Sequence, residues 1–168
     1  MRLSPTPAPR LGVGAAIATL MLSSCDSFPF TAQIGARRTD AGGIEILFAS
    51  CPGERVRRVA LEMSDPAHAR TERVLWAIEA ADGAVGGDST LVFVVGTTPD
   101  GFVDVIPFDL APKPTDPRIA VVTTTTHGEV LLDFSTSDLG EGEVVVNGSS
   151  HPISTERFDK SVAAACGS

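Results

Sequence analysis

The 168-residue chain has an ordinary globular composition, with 43% hydrophobic and 20% charged residues, and a formal charge of −8. This composition excludes a chain that is disordered throughout. The negative charge repels phosphate backbones and anionic lipid headgroups. We therefore predict no nucleic-acid partner, and we expect any membrane attachment to depend on hydrocarbon rather than on a basic patch.

The first 24 residues have the features of a signal peptide. Arg2 and Arg10 give a positively charged start, and an uncharged apolar run follows from 11 to 22. As a helix, these twelve residues would span about 18 Å, well short of the ~30 Å hydrocarbon core of a bilayer. The run therefore indicates the core of a leader rather than a stable transmembrane anchor.

The apolar run ends in Leu22-Ser23-Ser24-Cys25, an aliphatic residue and two small residues before a cysteine. This segment resembles the lipobox of bacterial lipoproteins. The resemblance covers the first 25 residues and implies lipid transfer to the Cys25 sulfur, cleavage before Cys25 and acylation of the new amine. Two or more acyl chains anchor a protein stably, at about 0.8 kcal/mol per buried CH₂. Cleavage at an ordinary secretory site, a retained apolar run and a misassigned start remain alternatives.

The leader divides the chain into three predicted segments. Residues 1–24 are the signal peptide, residues 25–40 hold the lipidated cysteine, a short tether and a first extended segment, and residues 41–168 form the folded domain. Without the leader, 144 residues remain, with 11 basic and 21 acidic side chains and a formal charge of −10. We therefore expect an acidic domain held close to the extracytoplasmic face of the cell membrane by lipid on Cys25.

Period-two alternation of apolar residues dominates the mature chain and predicts β-strands. Half-buried strands are expected at 44–48, 59–63 and 74–78, the last with Val74, Trp76 and Ile78 on one face. The wholly apolar segment 91–95 predicts a strand covered on both faces. Further strands are expected at 102–106, 119–126, 129–135 and 143–146, with a two-residue hairpin turn at His127-Gly128 and another turn at Asn147-Gly148.

These seven or eight strands predict a mainly β fold, an antiparallel β-sandwich that resembles immunoglobulin and fibronectin domains. The single tryptophan, Trp76, is interpreted as a core residue. The carboxyl end changes to a helical period, because Phe158, Val162 and Cys166 recur at every fourth residue. Ser154 or Thr155 can cap a short terminal helix there.

Cys51 and Cys166 remain once Cys25 is lipidated, and an even pair of cysteines in an oxidising compartment predicts a disulfide. The bridge would close a loop of 115 residues and contribute at most ~4–5 kcal/mol in the chain-entropy model. No C-x-x-C pair is present, so we favour a structural role over a redox role.

Motifs for catalysis, metals and cofactors are missing from the sequence. His68, His127 and His151 have no zinc-site spacing, and the cysteines have none either. Gly148-Ser149-Ser150-His151 places hydroxyls beside a histidine, but it is interpreted as a turn. The acidic loop 138–143 lacks the alternating carboxylates of an EF-hand and is interpreted as a solvated hairpin loop rather than a calcium site. We therefore predict no catalytic residue, metal or cofactor.

Three functional hypotheses follow from these features. The first is a non-catalytic binding or assembly module that is displayed at the membrane surface and has an envelope protein as a possible partner. The second is a hydrolase or metal-dependent enzyme whose residues converge only in three dimensions, with His127 and His151 as candidates. The third is a passive envelope component that acts through its acidic surface alone.

Overall fold

The computed structural model describes residues 33–65, 70–86, 90–108, 117–147 and 149–166, with side chains omitted at 64–65, 70–72 and 164–166. The strands within these ranges are β1 (Ile34–Arg38), β2 (Ile44–Ala49), β3 (Arg55–Asp65), β4 (Arg70–Ala80), β5 (Val85–Gly86), β6 (Thr90–Val94), β7 (Phe102–Ile106), β8 (Pro117–Thr124), β9 (Glu129–Ser135), β10 (Glu143–Val146) and β11 (Ile153–Ser154). A 3-10 turn at Thr136–Asp138 precedes β10, and one helix, α1 (Thr155–Cys166), follows β11. The mainly β prediction with a terminal helix is confirmed.

The strands form two antiparallel sheets. The first, sheet A, has the order β11-β10-β1-β2-β6, and the second, sheet B, has the order β7-β4-β3-β8-β9, with β5 paired to β3. The described residues form eleven strands instead of the seven or eight predicted, and β5 and β11, with two residues each, are among the additional ones. Strand β1, in the segment predicted as extended, pairs with β2 and β10 and is part of sheet A.

One hydrophobic core contains side chains from both sheets. Ile46 and Phe48 of sheet A belong to the same buried cluster as Val59 and Ile78 of sheet B. Phe93 of β6 and Phe102 of β7 are in edge-to-face contact, with ring centroids 5.5 Å apart. Aromatic pairs with this geometry are favourable beyond the area they bury, and this one joins the two sheets.

Trp76 lies in this core, as predicted, with 1% of its surface exposed. Its indole Nε1 is buried and, within the described part of the chain, makes no hydrogen bond. A buried donor without a partner costs about 1–3 kcal/mol. The apolar contacts of the large ring must offset that cost.

Strand β2 is covered on both faces, so the prediction of one solvated face is wrong. Ile46 and Phe48 face the shared core, whereas Leu47 and Ala49 belong to a second buried cluster on the outer face of sheet A. Phe158 of α1 is a member of that second cluster. The terminal helix therefore covers the face that the alternation pattern assigned to water.

Strand β4 contains a β-bulge that changes which side chains face the core. Leu61 pairs with Trp76, but Glu62 pairs with Val74, so Leu75 is the extra residue. A bulge turns neighbouring side chains to the same side, and Leu75 joins Trp76 in the core. Val74 packs instead on the outer cluster of sheet B. The prediction that Val74 shares a face with Trp76 is wrong for this reason.

Strand β6 does not have two covered faces, although its sequence is almost wholly apolar. It is the last strand of sheet A, and Val92 is 44% exposed. Helix α1 packs against β10 and β11 at the opposite end of that sheet. An edge position therefore explains the exposed face that the composition did not predict.

Two predicted loops also differ from the structure. Strand β8 ends at Thr124 and β9 begins at Glu129, so the connection has four residues, of which Gly128 has φ +74°, instead of the two expected at His127-Gly128. The acidic loop is not a hairpin, because it leads from β9 in sheet B to β10 in sheet A. The predicted turn at Asn147-Gly148 falls partly outside the described residues, although the Ser149 amide bonds the Val146 carbonyl across it.

Helix α1 begins where the sequence predicts. The Ser154 hydroxyl oxygen accepts a hydrogen bond from the Arg157 amide at 3.2 Å, which satisfies one of the free amides of the first turn. Phe158 is fully buried and Val162 packs beside it. The Cys166 side chain lies outside the described residues.

Candidate functional site

A cavity of about 330 Å³ lies at one end of the shared core, where both sheets contribute its walls. The turn between β1 and β2 forms one side, and the chain beyond the 3-10 turn forms another. The lining side chains and backbone belong to Arg38, Gly42, Gly43, Ile44, Leu61, Leu75, Val95, Phe108, Arg118, Thr136 and Leu139. The volume is at the lower end of the ~300–1,000 Å³ typical of ligand pockets.

The inner wall of the cavity is apolar and rigidly placed. Leu61 and Leu75 are each 1% exposed, and Leu139 is 4% exposed. Leu75 reaches this position because it is the bulged residue of β4. Side chains fixed in a core adopt few alternative positions, so this wall provides a preformed apolar surface for a ligand.

Two guanidinium groups line the same cavity. The Arg38 Nη2 donates a hydrogen bond to the Thr136 carbonyl at 2.9 Å, a contact that joins the end of β1 to the 3-10 turn. Arg118 is only 4% exposed, and its Nη1 lies 3.5 Å from the Pro117 carbonyl oxygen. The site thus combines an apolar wall with positive charge in a protein whose formal charge is −8.

A second hollow, of about 390 Å³, contains the sequence-predicted residues around His151. Its lining includes Asp133, Asp138 and Ser149. The Asp138 carboxylate accepts the Ser135 amide at 3.1 Å, and the Ser149 hydroxyl bonds the His151 carbonyl rather than its ring. Within the described residues, no group of three or more His, Cys, Asp or Glu side chains could hold a metal ion.

His127 has a partner that sequence reasoning missed. Its Nδ1 lies 2.7 Å from the Glu54 Oε1, and the Glu54 side chain is 2% exposed. Because a carboxylate only accepts hydrogen bonds, the ring nitrogen donates. The other carboxylate oxygen accepts the Cys51 amide at 3.3 Å. Glu54 follows Cys51-Pro52-Gly53, and that turn is the only signal in the sequence that this carboxylate is held inward.

His127 and His151 lie in different surroundings. The ring of His127 contacts buried Glu54, while His151 lines the second hollow, whose lining does not include His127. The imidazole of His127 is 54% exposed, and its only hydrogen-bonded side-chain partner among the described residues is Glu54. The contact can orient the ring but places no serine, threonine or cysteine side chain on it. His68, the third histidine, lies outside the described residues.

Of the three predicted cysteine sites, only Cys51 has a described side chain. Cys51 is disulfide-bonded, and the side-chain nitrogen Nε2 of Gln33 lies 3.8 Å from the Cys51 sulfur. The side chain that completes the bond is outside the described residues, so pairing with Cys166 stays a prediction. Cys25 and the predicted leader are outside them as well. Among the helices within the described ranges, none is long and apolar enough to cross a membrane.

The 330 Å³ cavity is the candidate site, because it alone of the two hollows combines a buried apolar wall with cationic groups. Its function has to be inferred from this geometry. Comparisons of the chain with protein-family models, with curated proteins and with solved structures found no match.

Proposed function

We propose that this chain is an exported bacterial lipoprotein whose β domain is a non-catalytic binding module. Lipid on Cys25 would hold the domain at the extracytoplasmic face, and the 330 Å³ cavity between the sheets would take a small ligand. The cavity is the observation that carries the proposal, because preformed pockets with an apolar wall and a few polar groups are the usual form of ligand sites. The anchor rests on the leader and on Leu22-Ser23-Ser24-Cys25.

We also propose that the two sheets form an immunoglobulin-like β-sandwich. Along the described strands the chain crosses between sheets after β2, β5, β6 and β9, and β2 pairs with β6 while β3 pairs with β8. These pairings correspond to the B–E and C–F pairs of the immunoglobulin fold. Strand β7, inserted between β6 and β8 and paired with β4, and the β10–β11 extension beside β1 are departures from that pattern.

The anchor is tested by the state of residue 25 in the native cell. We expect the wild-type protein to remain with membranes after a high-salt wash and to begin at a lipid-modified Cys25, as read by mass spectrometry. Cys25→Ala should leave the leader uncleaved and the lipid absent, whereas the matched variant Ser23→Ala should be processed normally. A mature protein that begins at Met1, or that has an unmodified sulfur at position 25, would refute the anchor.

The binding role is tested with a neutral apolar probe, 3-phenylpropan-1-ol, titrated into the purified full-length protein. We expect saturable binding that shifts the nuclear magnetic resonance signals of the methyl groups of Leu61 and Leu75. Leu139→Trp should fill the cavity and abolish the shifts, while Leu131→Trp, on an exposed position of β9, should not. Binding that persists in Leu139→Trp would contradict the assignment of this cavity as a ligand site, as would failure of both this alcohol and its carboxylate analogue, 3-phenylpropanoate, to bind.

A further inference from the structure

The arginines of β1 and β3 differ in whether their guanidinium groups pair with a carboxylate. Arg37 Nε lies 2.5 Å from the Glu45 carboxylate, and Arg58 of β3 pairs with Glu79 at 3.8 Å. Arg38, the next residue along, bonds only the neutral Thr136 carbonyl among the described residues. Acidic side chains outnumber basic ones in the sequence, 21 to 13, yet none of the described carboxylates bonds the guanidinium of Arg38.

The position of Arg38 makes its charge available to a ligand. Arg38 is exposed, and its carbonyl contact holds the guanidinium beside the cavity while engaging only Nη2. A guanidinium has five N–H donors in a planar fork. That fork matches the two oxygens of a carboxylate. Positive charge beside apolar walls attracts anions more strongly than in open water.

The size of the cavity limits what the anion can be attached to. An apolar cavity of about 150 Å³ is enough to bind benzene, and this one has about 330 Å³. One aromatic ring with a short chain therefore fits, but a phospholipid with two acyl chains does not. The wall formed by Leu61, Leu75 and Leu139 suits such an apolar group.

From this combination we propose that the cavity selects small apolar carboxylates. The carboxylate would lie on the guanidinium of Arg38, and the apolar group would lie against Leu61 and Leu75. This ligand class rests on the proposed binding function but is more specific, because a neutral apolar ligand would satisfy the binding function without using Arg38.

Three probes with one skeleton separate the possibilities: 3-phenylpropanoate, 3-phenylpropan-1-ol and 3-phenylpropan-1-amine. Each is titrated by calorimetry into the full-length protein in detergent, with detergent alone as the reference. We expect the carboxylate to bind at least about tenfold more tightly than the alcohol, since a hydrogen bond to a charged group contributes about 1.5–3 kcal/mol. The amine should bind more weakly than the alcohol, because its charge has the same sign as that of Arg38.

Variants test whether Arg38 is responsible for the preference. Arg38→Gln should lower the carboxylate affinity about tenfold or more and remove the preference for carboxylate over alcohol. Arg57→Gln, an exposed residue of β3 outside the cavity lining, makes the same change of charge and should alter neither. Circular dichroism of each variant checks the fold, and raising the salt concentration should weaken carboxylate binding alone.

The outcomes distinguish the ligand class from the binding function. Equal affinities for carboxylate and alcohol, or a preference that survives Arg38→Gln, would overturn the ligand class while the cavity remained a binding site. Failure of all three probes to bind would overturn both. Tighter carboxylate binding that Arg57→Gln reduces as much as Arg38→Gln would show a general charge effect and would also overturn the proposal.

Discussion

The contact between Glu54 and His127 shows how one side chain determines the state of another. Glu54 is almost fully buried, and its two known donors are the ring of His127 and the amide of Cys51. A buried carboxylate that loses a donor is left partly unsatisfied. The pair could not be predicted from the sequence, because 73 residues separate the two partners and the turn before Glu54 does not indicate which side chain its carboxylate meets.

His127→Ala is therefore expected to lower the free energy of unfolding by about 1–2 kcal/mol. The loss should be small for a buried charged acceptor, because water can reach Glu54 through the space left by the half-exposed ring. In the double variant with Glu54→Gln, the loss should be smaller than the sum of the two single losses by about 1 kcal/mol. Urea denaturation of the four proteins measures the cycle. The exposed His151→Ala is the control, expected within about 0.5 kcal/mol of wild type. Strict additivity would contradict a direct interaction.

Helix α1 can approach sheet A closely because β1 has a glycine beneath it. A Cβ atom at Gly35 would lie 2.5 Å from the Val144 Cγ1 and 3.2 Å from the Phe158 Cε2. The first distance is far inside van der Waals contact, and both neighbours are fully buried. One missing methyl group thus allows Val144 of β10 and Phe158 of α1 to pack over β1, in the buried cluster that also includes Leu47 of β2.

Gly35→Ala should destabilise the protein by about 1–3 kcal/mol, the usual cost of overpacking a core. Trimming the neighbour in the double variant with Val144→Ala should recover part of that loss, which makes the two changes non-additive. Gly43→Ala is a matched control, because its new Cβ would meet only the Thr39 side chain, at 3.2 Å, in an exposed turn. Thermal and urea unfolding report the difference. Equal stabilities of Gly35→Ala and Gly43→Ala would refute the packing argument.

Elements were predictable from the sequence where the pattern is local, and faces were not where a distant element decides them. Alternation located β2, but it could not show that α1, more than a hundred residues later, covers Leu47. Leu75 lines the cavity only because a bulge shifts the register of β4, and period-two counting assumes that no bulge occurs. The arginines of the cavity come from β1 and β8, and only the folded sheets bring them together.

At the scale of the whole molecule, a disulfide would connect two regions that are far apart in sequence. Cys51 lies two residues after the end of β2 and is disulfide-bonded, while Cys166 is the last residue of α1. The helix covers the outer face of β2 through Phe158. A bond from Cys51 to Cys166 would hold the end of that helix to the sheet and close the chain from its second strand to its carboxyl end.

We expect non-reducing peptide mapping of the native protein to yield a Cys51–Cys166 linked peptide. Cys166→Ser should lower the free energy of unfolding by about 2–4 kcal/mol, less than the chain-entropy limit because unfolded chains retain some structure. The loss should act mainly through the unfolded ensemble, so Cys51→Ser and reduced wild type should lose similar amounts. Hydrogen exchange should also rise first in α1, where the bond no longer opposes fraying. A Cys25–Cys51 peptide would refute both this pairing and the lipid on Cys25 at once, whereas a free Cys166 thiol in the native protein would refute the pairing alone.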